Sequence, residues 1–172
     1  MNRLTDAIKH LIIINVILFI APQFLKLDFS NILALHFPKN EHFGIWQYVT
    51  HMFMHGGFGH ILFNMYGLWA FGGPLEQMWG KKKFLFFYFS AGLGAGLIYT
   101  LANYYQFNGI YDLFISAGLN PSEIISILES AKTSDPRVIE SITQEQFDDI
   151  IGLYNAKAVG ASGAVYGVLV AF

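Results

Sequence analysis

Charge is unevenly spread along this sequence, and that unevenness constrains the fold more than any other feature. The chain has ten basic and twelve acidic residues, and half of them fall between positions 104 and 157. The rest is strongly apolar: 54% of the 172 residues are hydrophobic and 13% charged, about half the usual ~25% charged fraction. Such stretches belong in lipid or in a large core. A bilayer core of ~30 Å is crossed by about 20 mostly apolar helical residues, and four segments have that character, at about 8–25, 58–79, 84–104 and 158–172. A helix that stopped at mid-bilayer would leave its last carbonyls without partners. The fourth span is therefore expected to continue, and the chain to be the N-terminal part of a longer membrane protein. The expected fold is an all-α polytopic transmembrane bundle, with residues 105–157 as a helical extramembrane insertion.

Basic residues orient the spans. Arg3 and Lys9 precede the first, and Lys81, Lys82 and Lys83 lie between the second and third. The positive-inside rule places both sets in the cytoplasm, and the two placements agree because two spans separate them. A multi-pass membrane protein with a cytoplasmic N-terminus follows. The first apolar run lacks a small-x-small cleavage site and is read as a span, not a leader. Between the first two spans, Phe43, Trp46 and Tyr48 suit an outer segment lying at the membrane interface. The outward-facing insertion holds eight acidic and three basic residues. Its helix starts are predicted at Asn120-Pro121, Asp135-Pro136 and Thr143, each before an apolar run. A net charge of −2 without a basic face gives nucleic acid nothing to bind. With no cysteine, disulfides and thiolate metal sites are excluded.

Polar groups within spans are costly and mark function. His60 and Asn64 stand four apart in the second span, on one helical face with Gly67. His51 and His55 precede them near the outer mouth. The fourth span opens Gly160-Ala161-Ser162-Gly163, with Tyr166 one turn after Ser162. Gly163 and Gly167, like Gly92 and Gly96 in the third span, have the G-x-x-x-G spacing that allows close helix contact. Tight packing of the three helices would turn Ser162 toward His60 and Asn64. A serine nucleophile needs a base, and its tetrahedral intermediate needs donors around the oxyanion. The Asn64 amide, a His60 N–H and the Ser162 backbone N–H are donors of that kind. The serine run is not the hydrolase elbow, since Ala164 stands where that motif requires glycine.

His51-x-x-x-His55, His60-x-x-x-Asn64 and Gly160-Ala161-Ser162-Gly163 with Tyr166 together resemble the rhomboid intramembrane serine proteases, over Trp46 to Phe172 apart from the insertion. The resemblance implies Ser162 as nucleophile, His60 and Asn64 as the oxyanion hole, and Gly160, Gly163, Tyr166 and His55 as supporting residues. Tyr166 would pack against the catalytic histidine, and Glu76 would be a structural glutamate near the inner end of the second span. The implied reaction is hydrolysis of peptide bonds in or near transmembrane segments of single-span or other membrane proteins, within the lipid bilayer. No cofactor or metal is implied. The family's base is a histidine on a later span, beyond this sequence, so residues 1–172 alone are expected to be inactive. Where the family has Trp-Arg in its outer loop, this chain has Trp46-Gln47.

Two other readings compete. A non-catalytic rhomboid-like protein would bind transmembrane segments without cutting them, but relatives of that kind are expected to lose the serine or its partners. A metal or transport protein would use His51, His55 and His60; the first two have ligand spacing, yet the carboxylate of H-E-x-x-H is missing, which favours a hydrogen-bonded structural role.

Overall fold

A computed structural model of the chain describes residues 4–172; Arg3, used above for orientation, lies outside them. The described residues are all-α apart from one pair of two-residue strands. It divides into two units. The first takes in the residues up to His36, His42–Tyr99 and Lys157–Phe172; the second takes in Phe37–Glu41 and Thr100–Ala156.

In the first unit, α1 (Asp6–Leu25) is long and apolar enough to cross a membrane. Two short helices, α2 (Ser30–Leu33) and α3 (Gln47–Thr50), and the strand β1 (Leu35–His36) build the segment that was expected to lie at the outer interface. A 3₁₀ turn, His51–Phe53, follows α3. The second apolar segment is one helical run in three parts: α4 (Phe58–Gly67), a π-helical turn (Leu68–Gly72) and α5 (Gly73–Trp79). Its widening has a local cause, because Pro74 has no N–H to give the Ala70 carbonyl, and π-turns form where the ladder is interrupted. Gly80, at φ +80°, makes the turn into α6 (Lys81–Ser116). Lys81–Lys83 oppose the dipole at that helix start, so they do not stabilise the helix. Lys83 gains some compensation from the Trp79 ring, 5.3 Å from its Nζ.

α6 runs 36 residues, about 54 Å at 1.5 Å per residue, twelve residues past the expected end of the third span. The fourth apolar stretch begins differently from its hydropathy. Lys157–Ala158 form strand β2, antiparallel to β1 with Leu35 opposite Ala158 and His36 opposite Lys157, and α10 (Ser162–Ala171) starts at Ser162 itself. Ile8, Leu68, Leu75, Phe84 and Val168 are fully or almost fully buried in the core that α1, α4–α5, α6 and α10 share.

One long-range cap joins two of these helices. The buried Glu76 carboxylate accepts from the backbone N–H groups of Ala7, at 2.9 Å, and Ile8, at 3.2 Å, and from the Thr5 hydroxyl. Those are first-turn amides of α1, which helical bonding leaves without partners. A carboxylate there also meets the positive end of the helix dipole. Glu76, which the resemblance implies is a structural glutamate, is thus a cap on the first helix.

The second unit has its own apolar core. Phe107 and Phe114 of α6 pack with Ile124 and Leu128 of α7 (Pro121–Ser130), Val138 of α8 (Pro136–Ser141), and Ile150 and Tyr154 of α9 (Gln144–Tyr154). The three helix starts fall where the sequence placed them. Asn120 with Glu123, and Thr143 with Gln146, form reciprocal capping boxes, and Asp135 caps α8 through the Arg137 N–H.

Candidate active site

The candidate residues belong to α4, the β2–α10 connection and α10, all in the first unit. Asn64 is buried, and its amide donates to the His60 carbonyl one turn back at 3.0 Å. That bond fixes the side chain on the His60 face and occupies one of its two N–H groups. The Gly56 N–H faces His60 Nδ1 at 3.5 Å. A neutral ring accepting there carries its proton on Nε2, so Nε2 is the donor left for a ligand.

His60 Nε2 in turn lies over Gly160. A Cβ built on Gly160 would stand 2.5 Å from Nε2 and 2.6 Å from Cε1, and φ at this residue is +117°. Both facts demand glycine. The Gly160 N–H donates to the His51 carbonyl at 2.8 Å, which ties the approach to α10 to the outer segment. Ser162 is the first residue of α10, preceded by Ala161, whose side chain cannot cap. First-turn N–H groups of a helix are free to meet an anion.

Helix packing explains why Ser162 sits beside α4. A Cβ at Gly67 would come within 2.8 Å of Val165 Cγ1, so α10 approaches α4 across that glycine. On its other side, Gly163 faces Ala95 and Gly167 faces Ala91, with virtual Cβ distances of 2.4 and 2.6 Å. The expected close contact of the third and fourth spans is present, but alanines of α6 make it. Gly92 and Gly96 receive the outer segment instead: Met52 Cε lies 2.3 Å from a virtual Cβ on Gly92, and His51 Cε1 lies 3.3 Å from one on Gly96.

Two clefts meet at Ser162. One, of about 390 Å³, is lined by His60, Phe63, Asn64, Ser162, Val165 and Tyr166 among others. The second, of about 220 Å³, lies toward α6, with Ser162 and Tyr166 on its wall together with Gly96, Tyr99 and Gly160. Tyr166 is 67% exposed, so its ring is available at the mouth of both.

Of the other histidines, His51 and His36 have backbone partners, whereas the ring nitrogens of His55, for which a hydrogen-bonded role was expected, are buried and find none among the described residues. His51 Nδ1 bonds the Gln47 carbonyl at 2.8 Å, and His36 Nδ1 the Ala34 carbonyl at 2.9 Å. The His55 ring stands edge-on to His60, centroids 5.0 Å apart. Burial, and after it the neighbouring His60, bring His55 down to about 4. His55 is therefore a neutral ring at physiological pH, suited to supporting His60 and not to taking up a proton. Among the described residues, no three or more His, Asp or Glu side chains gather in a way that could hold a metal ion.

Sequence reasoning missed the Gly160–His60 contact and the His51 carbonyl, and it noted Gln47 only as a departure from the family's Trp-Arg, not as a buried residue. The first had a signal in the glycine two residues before the serine. The second is a backbone group and had none.

A family model, the Rhomboid domain, matches residues 42–122. That range takes in His51, His55, His60, Asn64 and Glu76 and stops before Ser162. Among curated proteins, the rhomboid protease GlpG of Yersinia pestis (strain Pestoides F) is 28% identical over 152 residues, 81% of this chain and 52% of its own length. The proteins of the same name from Yersinia pseudotuberculosis serotype O:3 (strain YPIII) and Yersinia enterocolitica serotype O:8 match with the same identity and coverage. The chain spans about half the length of the curated relatives it matches.

Proposed function

Since the chain belongs to the rhomboid family of membrane-embedded intramembrane proteases, we propose that it carries the nucleophile and oxyanion site of a serine endopeptidase, with Ser162 as nucleophile. The observation that carries this reading is the meeting of Ser162, His60 and Asn64 in one cleft. Three elements bring these side chains together, through contacts that demand glycine at 67 and 160.

The chemistry follows from the donors. Ser162 Oγ attacks the carbonyl carbon of a peptide bond while a base takes the hydroxyl proton, and negative charge collects on the carbonyl oxygen. The Ser162 N–H at the start of α10, the second Asn64 N–H and His60 Nε2–H are the groups that would receive it. Each such donor typically contributes about 10²–10³ in rate. No side chain within residues 1–172 serves as base in this reading; it is a histidine supplied from outside them. The substrates are membrane proteins, cut in or near a transmembrane segment. The site lies toward the outer face of the plasma (inner) membrane, with the N-terminus in the cytoplasm and residues 105–157 outside.

The test is cleavage of a single-span substrate by the full-length protein in detergent, wild type against Ser162→Ala. The reading predicts cleavage that disappears in the variant while the protein stays folded. Cleavage that survives Ser162→Ala would remove Ser162 from the mechanism.

A further inference from the structure

Gln47 is fully buried and bonds to four other residues of the segment 31–42. Its Nε2 donates to the His42 carbonyl at 2.7 Å and is shared between the carbonyls of Asn31, at 3.3 Å, and Ile32, at 3.4 Å. Its Oε1 accepts from the His36 N–H at 3.1 Å. One neutral amide thus meets three carbonyls with its donors and one N–H with its acceptor. Neither a charged side chain nor an apolar one of that length supplies both functions.

Two routes lead from this residue to the candidate site, one from its side-chain amide and one from its backbone carbonyl. His36, held by Oε1, is the β1 residue opposite Lys157, and β2 ends two residues before Gly160. The Gln47 backbone carbonyl also anchors His51 Nδ1, and the His51 carbonyl accepts the Gly160 N–H at 2.8 Å. Both routes end on the glycine that packs against His60 and sets the direction of the chain into Ser162. We propose that Gln47 is a positioning residue for the catalytic serine: through β1–β2 and through His51 it fixes the backbone at 157–162, and with it the Ser162 N–H and Oγ. This inference rests on the protease reading of Ser162 for its consequence in catalysis, but the mechanical tie can be measured without it.

The variant Gln47→Met keeps the length of the side chain and removes the four side-chain contacts, while the backbone carbonyl that meets His51 Nδ1 stays. In the full-length protein in detergent, hydrogen–deuterium exchange should quicken at the amides of 35–36, 157–158 and 160, by about tenfold or more, while those of α4 keep their protection. Cleavage should show kcat reduced by about 10- to 100-fold with KM within about twofold, because misplacing a reacting group acts on the chemical step. Labelling of Ser162 by a fluorophosphonate should slow in parallel. If Gln47→Met does not purify folded, Gln47→Asn, which keeps the amide on a shorter stem, replaces it. Unchanged exchange at 157–160 beside a lower melting temperature would make Gln47 merely structural and overturn the proposal, as would a rise in KM at constant kcat. A wild type that neither cleaves nor labels, with the exchange coupling intact, would instead contradict the protease reading and leave the tie standing.

Discussion

A methyl group at position 160 would collide with the His60 ring and force a side chain into a backbone conformation that only glycine adopts readily, since φ there is +117°. Strain of that sort costs about 1–3 kcal/mol, and the easiest relief is to push His60 away. Gly160→Ala should therefore lower kcat by about 10²-fold, a loss comparable to that of one oxyanion donor, with a smaller effect on thermal stability. Steady-state cleavage and melting temperature of the same preparation check this. His55 makes a second prediction at this scale. Its pKa lies at about 4 when folded, against about 6.5 in an unfolded chain. Between those values the unfolded state binds the proton and the folded state does not, so stability rises with pH across the window and falls in acid. Thermal unfolding followed from about pH 6.5 to about 4 should show that loss, and His55→Leu should flatten it.

Between elements, the Glu76 cap joins α5 to the first turn of α1 in a way no local pattern announces. Thr5 stands at the N-cap but does not cap its own helix, and the amides of Ala7 and Ile8 turn to a carboxylate about seventy positions away. Hydrogen bonds to a charged group are each worth about 1.5–3 kcal/mol. Glu76→Ala should destabilise the protein by about 2–3 kcal/mol, and Glu76→Gln, with one acceptor oxygen left, by less. Equilibrium unfolding in mixed detergent measures both, and equal losses in the two variants would show that the bonds themselves contribute little. The helices were legible from hydropathy, and the helix starts of the second unit from Asn120, Asp135 and Thr143, because caps are local chemistry. The partner of each helix face was less so. Gly92 and Gly96 carried the expected spacing, yet Ala91 and Ala95, one position earlier and equally small, meet Gly163 and Gly167. A stripe of small residues permits close approach without naming the helix that makes it.

For the molecule as a whole, the candidate residues of the cleft were easier to single out in the sequence than the residues that hold them in place. Ser162, His60 and Asn64 stood out because polar groups are expensive inside apolar helices, and the fold brings all three to one cleft. Gln47 drew notice only as a departure from the family's Trp-Arg; its complete burial and its bonds to residues 31–42 reveal its part. The same holds for the π-turn at Leu68–Gly72, whose cause, Pro74, is visible in the sequence although its form is not.

The central claim, that Ser162 is an activated nucleophile in the α4–α10 cleft, is tested most directly by covalent labelling. The full-length protein in detergent is treated with a fluorophosphonate, digested, and the adduct located by mass spectrometry. The account predicts one adduct on Ser162, formed more slowly when Asn64 is replaced by alanine and absent from Ser162→Ala. An adduct on another residue, or equal labelling of wild type and Ser162→Ala, would contradict it.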